Sequence, residues 1–258
     1  MSSLDVWEIN FERVKKSAEM FPELTELCDS VLDSMWDMKD RLLNVVRTQW
    51  GDKELPPSQK FVSIYFIRNI MYLRGAYLLA CGSLCEPSRN LQRTVTETIM
   101  RSYLFLVNPR EANLMDSLIK GTIKPEDRDF LRHRKYWSFK FLLGELYTKE
   151  IRKSFKKILH RLSRSSHASI MSAFTDLKYS SQSVEDCLSM ILALSYHNIQ
   201  IIAEGFLGLL DDNFKDSTRK VLKEIADLQR EITPFEPDKE KYSKKIKLKR
   251  GNFPKILK

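Results

Sequence analysis

In "HRLSRSSHASI", residues 160–170, an arginine and a histidine are separated by five positions in a strongly basic stretch. Arg161 could hold a phosphate, and His167, with a side-chain pKa near neutral, could move a proton. That pair is the minimum equipment for metal-independent RNA cleavage with the ribose 2′-OH as nucleophile. An unbroken helix would hold the two apart: six residues at 100° each leave them about 240° apart around the axis. Arg164, not Arg161, would share a face with His167. Ser163, Ser165 and Ser166 compete for backbone hydrogen bonds and favour a cap or a kink, and a kink could turn Arg161 and His167 into one pocket. The competing reading is an ordinary basic helix end with no chemistry.

Two further groups of residues bear on a polyanion partner. Along the 146–163 segment, Arg152, Lys153, Lys156, Lys157, His160, Arg161 and Arg164 lie away from an apolar seam of Ile151, Phe155, Ile158, Leu159 and Leu162. "LRHRKYW" at 131–137 adds Arg132, Arg134 and Lys135, with Tyr136 and Trp137 beside them. Such cations attract phosphates, and such aromatics can stack bases. A solvated face paired with acids on neighbouring helices accounts for them equally well. In "RNLQRTVTETIMRSYLFL", Arg93, Glu97 and Arg101 recur at i, i+4 and i+8. They form a charged stripe that either stabilises an exposed helix or lines a pocket as its end becomes buried.

The rest of the chain must position these residues. It has 258 residues, 43% hydrophobic, with only 8 Gly and 9 Pro, which favours helices joined by short loops. Apolar residues recur at helical spacing in nearly every segment, and no stretch alternates as a strand does. The expected fold is all-α, a helical bundle of about 8–10 helices read from that periodicity. Helices are expected near 2–20, 22–50, 58–82, 87–107, 109–120, 125–144, 146–163, 170–177, 183–210 and 214–232. Residues 1–233 read as one domain. Residues 234–258 are rich in Pro and Lys and read as a basic, extended tail.

The net charge of +9 fits a polyanion such as nucleic acid as a partner, and the 2′-OH chemistry above favours RNA over DNA; a protein partner stays open beside it. No metal site or cofactor is expected. His133, His160, His167 and His197 lack ligand spacing, and there is no Gly-rich phosphate loop or nucleophile elbow. His133 and His197 read as packed or solvated helix residues. Cys28, Cys81, Cys85 and Cys187 read as buried free thiols, with Cys81 and Cys85 four apart on a shared helical face. There is no apolar signal core and no apolar run of 18 residues. The expectation is a cytoplasmic protein with no membrane insertion.

The Arg-x5-His spacing in an all-α chain resembles the HEPN superfamily. "RNLQRTVTETIMRSYLFL" followed downstream by "LSRSSHAS" is similar to helical families grouped with HEPN-like abortive-infection proteins. The resemblance covers about residues 60–210 and implies a bundle, often dimeric, in which the Arg and His of two subunits face one cleft. It implies RNase activity in a defence or toxin system, with Arg161 on the scissile phosphate and His167 as general acid or base. Arg164 and Lys157 would hold the backbone, and Arg93 and Glu97 would support the site from behind. Leu162 departs from the polar residue usual after the arginine. A scaffold or adaptor without chemistry, binding protein or nucleic acid through the basic face and tail, is the alternative.

Overall fold

The computed structural model describes residues 3–51, 53–132, 139–147, 152, 180–206 and 209–228. Among these there are nine helices and no strand, so the chain is all-α. They are α1 (Ser3–Met20), α2 (Pro22–Trp50), α3 (Pro57–Cys81), α4 (Cys85–Val107), α5 (Pro109–Ile119), α6 (Pro125–Arg132), α7 (Phe139–Leu146), α8 (Ser181–Gly205) and α9 (Asp212–Leu228).

Local chemistry sets most of the boundaries. Pro22, Pro57 and Pro109 sit in the first turns of α2, α3 and α5, where a missing N–H costs nothing. Gly51 ends α2 at φ 50°, a left-handed conformation that suits glycine, and its N–H reaches the Arg47 carbonyl. The Ser180 hydroxyl caps α8 by accepting from the Ser183 N–H. Asp211 Oδ1 accepts from the Phe214 N–H at 2.6 Å and caps α9 in the same way.

Three boundaries depart from the spacing. α4 begins at Cys85, two residues before Pro87, because a proline inside the first turn removes only an N–H that has no intrahelical acceptor. α8 ends at Gly205 rather than near 210. The turn Gly82–Leu84, with Ser83 at φ 60°, places Cys81 and Cys85 on different helices and corrects the shared-face reading. The segment from 125 holds two short helices, α6 and α7. The basic 146–163 helix beyond Tyr147, the 170–177 helix and the tail from 234 lie outside the described residues, save Arg152.

Helices α3, α4 and α8 pack on one another and form the centre of the bundle. α2 lies against α8 and α3, α9 against α8 and α2, α7 against α4, and α5 against α3 and α4. Val31, Met35, Met38 and Leu42 of α2 meet Phe66, Ile70 and Leu73 of α3, Val95 and Ile99 of α4, and Leu188, Ile191 and Ile202 of α8 in one core. Each large apolar side chain buried there is worth about 1.5–3 kcal/mol over leaving it in water. A smaller core of Phe61, Phe105, Ala112, Met115 and Ile123 holds α5 down. Among the described residues no helix is long and apolar enough to cross a membrane.

Candidate functional site

On α4 the charged stripe pairs with itself at its exposed end. Arg93 Nε lies 3.4 Å from Glu97 Oε1, four residues on, with both side chains about a third exposed. A pair of that kind largely cancels its own charge and adds little stability. One turn further, Arg101 is buried as α4 runs under its neighbours. The stripe therefore changes from a solvated pair to a buried cation over about two turns.

Arg101 faces α3. The half-buried ring of Tyr65 stacks on Phe105 at 6.1 Å between centroids. Burial pushes the Tyr65 hydroxyl up from its ordinary value, and the charges of Arg101 and Arg68 work against that shift. Arg68 is exposed and lies over the Tyr72 ring at 4.9 Å. Tyr65, Arg68 and Tyr72 recur at i, i+3 and i+7, so aromatic faces and a cation share the α4 border of α3.

The outer face of α3 is apolar. Ile64, Met71 and Leu78 are 49%, 56% and 65% exposed and recur every seven residues. By the 100° helical step, Arg68 and Arg74 sit about 60° to either side of that stripe. On the α2 border, Arg74 pairs with Asp33 at 2.5 Å and Tyr77 donates to Asp29 at 2.8 Å. Trp36 lies under both Lys39 and Arg74. Asp29, Asp33, Asp37 and Asp40, all exposed, run down α2 at spacings of four, four and three. The apolar stripe thus has a row of carboxylates along one edge and Arg68 along the other. The helical spacing of 58–82 does not show that one apolar side of α3 faces water.

Of the residues singled out by sequence, Arg93 and Glu97 form the pair just described. Arg152 is helical and partly buried. Arg132 ends α6. Its side chain, and Arg134, Lys135, Lys153, Lys156, Lys157, Arg161, Arg164 and His167, lie outside the described residues. His197 is buried, with Nδ1 3.5 Å from the Tyr103 hydroxyl, which also lies 3.5 Å from Gln200 Oε1. It is a packed histidine, as expected. An open groove of about 630 Å3 between α2 and α9 is lined by Arg41, Lys220, Asp211 and Asp216 with Asn213 and Ser217, and its two cations match its two carboxylates. Among the described residues no group of three or more His, Cys, Asp or Glu is placed to hold a metal ion. No family model, curated protein or solved structure matches the chain.

Proposed function

We propose that the protein is a helical scaffold that works by binding, and that it pairs with a second copy through the outer face of α3. The observation that carries this reading is the stripe Ile64, Met71 and Leu78, about half exposed or more on a helix whose opposite side is buried. Contiguous apolar surface of this kind marks an interaction site. A strict seven-residue repeat is the seam along which two helices pack side by side. Met, Tyr and Arg, which border or form the stripe, are enriched in interface cores.

The charges favour a second copy as the occupant. α3 itself carries no Asp or Glu. Rotating a copy by two-fold symmetry about an axis along α3 brings each stripe residue against its twin. The same rotation sets Arg68 of each copy facing the α2 carboxylate row of the other, so the face is complementary to itself. Arg74 pairs with Asp33 at the level of Tyr77 and Asp29, so the opposite end of that row, Asp37 and Asp40, falls nearer the level of Arg68 in the antiparallel α2.

Sedimentation equilibrium on the full chain and on Met71→Lys tests this. The parent is expected at twice the 30.3 kDa chain mass and the variant at the chain mass, with unchanged circular dichroism. A parent that stays monomeric at every concentration sinks the reading.

The second reading is an HEPN-like RNA-binding protein, a cytoplasmic metal-independent RNase of a defence or toxin system if Arg161 and His167 share a cleft. It is supported by the run of cations from Arg152 to Arg164, in which no acid follows Glu150, and by the net charge of +9. Cleavage of a labelled RNA in the presence of EDTA tests it directly.

A further inference from the structure

The four cysteines come from four different helices and meet at one end of the bundle. Cys28 lies in α2, Cys81 ends α3, Cys85 begins α4 and Cys187 is in α8, and all four are buried thiols not joined in a disulfide. Cys28 Sγ is 3.8 Å from the Leu188 carbonyl, so α2 touches α8 one residue beyond Cys187. Cys187 Sγ is 3.8 Å from the Cys85 carbonyl, across 102 positions of sequence. Gln92 fixes that contact from two turns further on. Its Nε2 donates to the Cys187 carbonyl at 3.2 Å and to the Ser88 hydroxyl at 3.0 Å.

The four thiols sit in unlike surroundings. At Cys187 the hydrogen bond from the Cys85 thiol, with help from the Arg89 guanidinium, Gln92 and Ser88, outweighs burial and holds the thiol below its ordinary value. Burial drives Cys28 far up, and Cys81 and Asp29 push the same way. Burial also takes Cys81 up to about 11. Of these three, Cys187 alone has its thiolate favoured, and the Cys85 thiol is the largest influence on it.

We infer that Cys85 and Cys187 are an oxidation site, a dithiol that closes to a disulfide between α4 and α8 when a small hydroperoxide reaches it. The Cys187 thiolate attacks one peroxide oxygen, the O–O bond breaks, and Cys187 becomes a sulfenic acid as water or an alcohol leaves. The Cys85 sulfur then attacks the Cys187 sulfur. The S–S bond forms, the S–O bond breaks, and hydroxide leaves as water with the Cys85 proton. Two thiols lose two electrons in total and one peroxide gains them. Exposures of 3% and 1% restrict the site to small oxidants. The bond would close a loop from the start of α4 to α8 that contains the whole basic segment. This inference is independent of the pairing through α3.

The test uses the reduced full chain and hydrogen peroxide. Remaining thiols are alkylated after denaturation, and non-reduced peptides are mapped by mass spectrometry. Two of the four thiols are expected to disappear, joined as Cys85–Cys187 and released by dithiothreitol. Cys187→Ser is expected to keep all its remaining thiols, and Cys85→Ser to accumulate a dimedone-reactive sulfenic acid at Cys187. Cys28→Ser is expected to behave as the parent. Mapping the parent needs no folded variant: four free thiols after peroxide, or a Cys28–Cys81 link in place of Cys85–Cys187, overturns the inference.

Discussion

Asn69 of α3 donates a 2.9 Å hydrogen bond to Asn198 of α8, and both side chains are buried in the centre of the bundle. The Thr98 hydroxyl of α4 donates to Asn69 Oδ1, and Asn198 Nδ2 reaches the Phe66 carbonyl at 3.4 Å. Three central helices are thus tied by one polar layer inside an apolar core. Buried amides tolerate few alternative alignments, because a slip leaves donors unpaired.

Asn198→Leu is therefore expected to cost about 1–3 kcal/mol, the penalty for leaving the Asn69 amide unpaired. Asn69→Leu is expected to cost a similar amount. The double substitution should cost less than the sum, since neither polar partner remains. Urea unfolding of all four proteins gives the coupling energy, and strict additivity would show that the two amides act independently.

The second expectation concerns acid. Lys60 donates to Asp116 at 2.8 Å and Lys120 pairs with it at 2.9 Å, while Lys120 also reaches Glu54. The Lys60 hydrogen bond, then that of Lys120, holds the Asp116 carboxyl below its ordinary value. A depressed folded value means that the unfolded chain takes up the proton first as pH falls. The stabilisation is whole above the unfolded value, about pH 4 for Asp, and is lost as pH drops through it toward the folded value. Asp116→Asn should lower Tm at pH 7 and flatten its fall below about pH 4. Parallel Tm curves for the two proteins would exclude the effect.

Exposed positions on the α3 stripe should be separable from folding. Met71→Lys changes a side chain that is 56% exposed, so monomer stability is expected to move by no more than about 0.5 kcal/mol. Denaturation at a concentration where both proteins are monomeric checks this, and a large loss would make Met71 a core residue.

Deleting residues 238–258 is expected to leave Tm nearly unchanged and to weaken binding to a polyanion, since that stretch carries a dense lysine run and no apolar period. Differential scanning calorimetry and heparin retention measure the two effects separately. A large drop in Tm would make the tail part of the core.

The Arg161 and His167 reading makes a comparison between variants. If they form an RNase centre, His167→Ala abolishes cleavage and spares RNA binding, while Arg161→Ala weakens both by removing a contact worth about 1.5–3 kcal/mol. If the stretch is a helix end, Arg161→Ala costs RNA affinity only as much as Lys156→Ala. Each should then lower the salt slope by roughly one unit.

The helices themselves were legible in the chain. Pro22 and Gly51 bracket α2, and the run Val31, Met35, Met38, Leu42 at helical spacing names its buried side. These are local effects, set within a turn or two by ring geometry, capping and period, and local effects can be read from neighbours in sequence. The Arg93–Glu97 pair was visible for the same reason. The start of α4 at Cys85 was not, because Cys85, Glu86 and Pro87 can open a helix or precede one with equal local ease. Nor does any period in α3 single out the side that faces water. Ile64 and Ile70 are both apolar, yet one is half exposed and the other fully buried, because α4, α8 and α2 cover only part of the helix. The meeting of Cys85 with Cys187, and of Asn69 with Asn198, joins residues more than a hundred positions apart. Sequence decided that this chain would be helical; which faces of those helices meet was decided by packing, because burial depends on what lies opposite, and that is a property of the whole bundle.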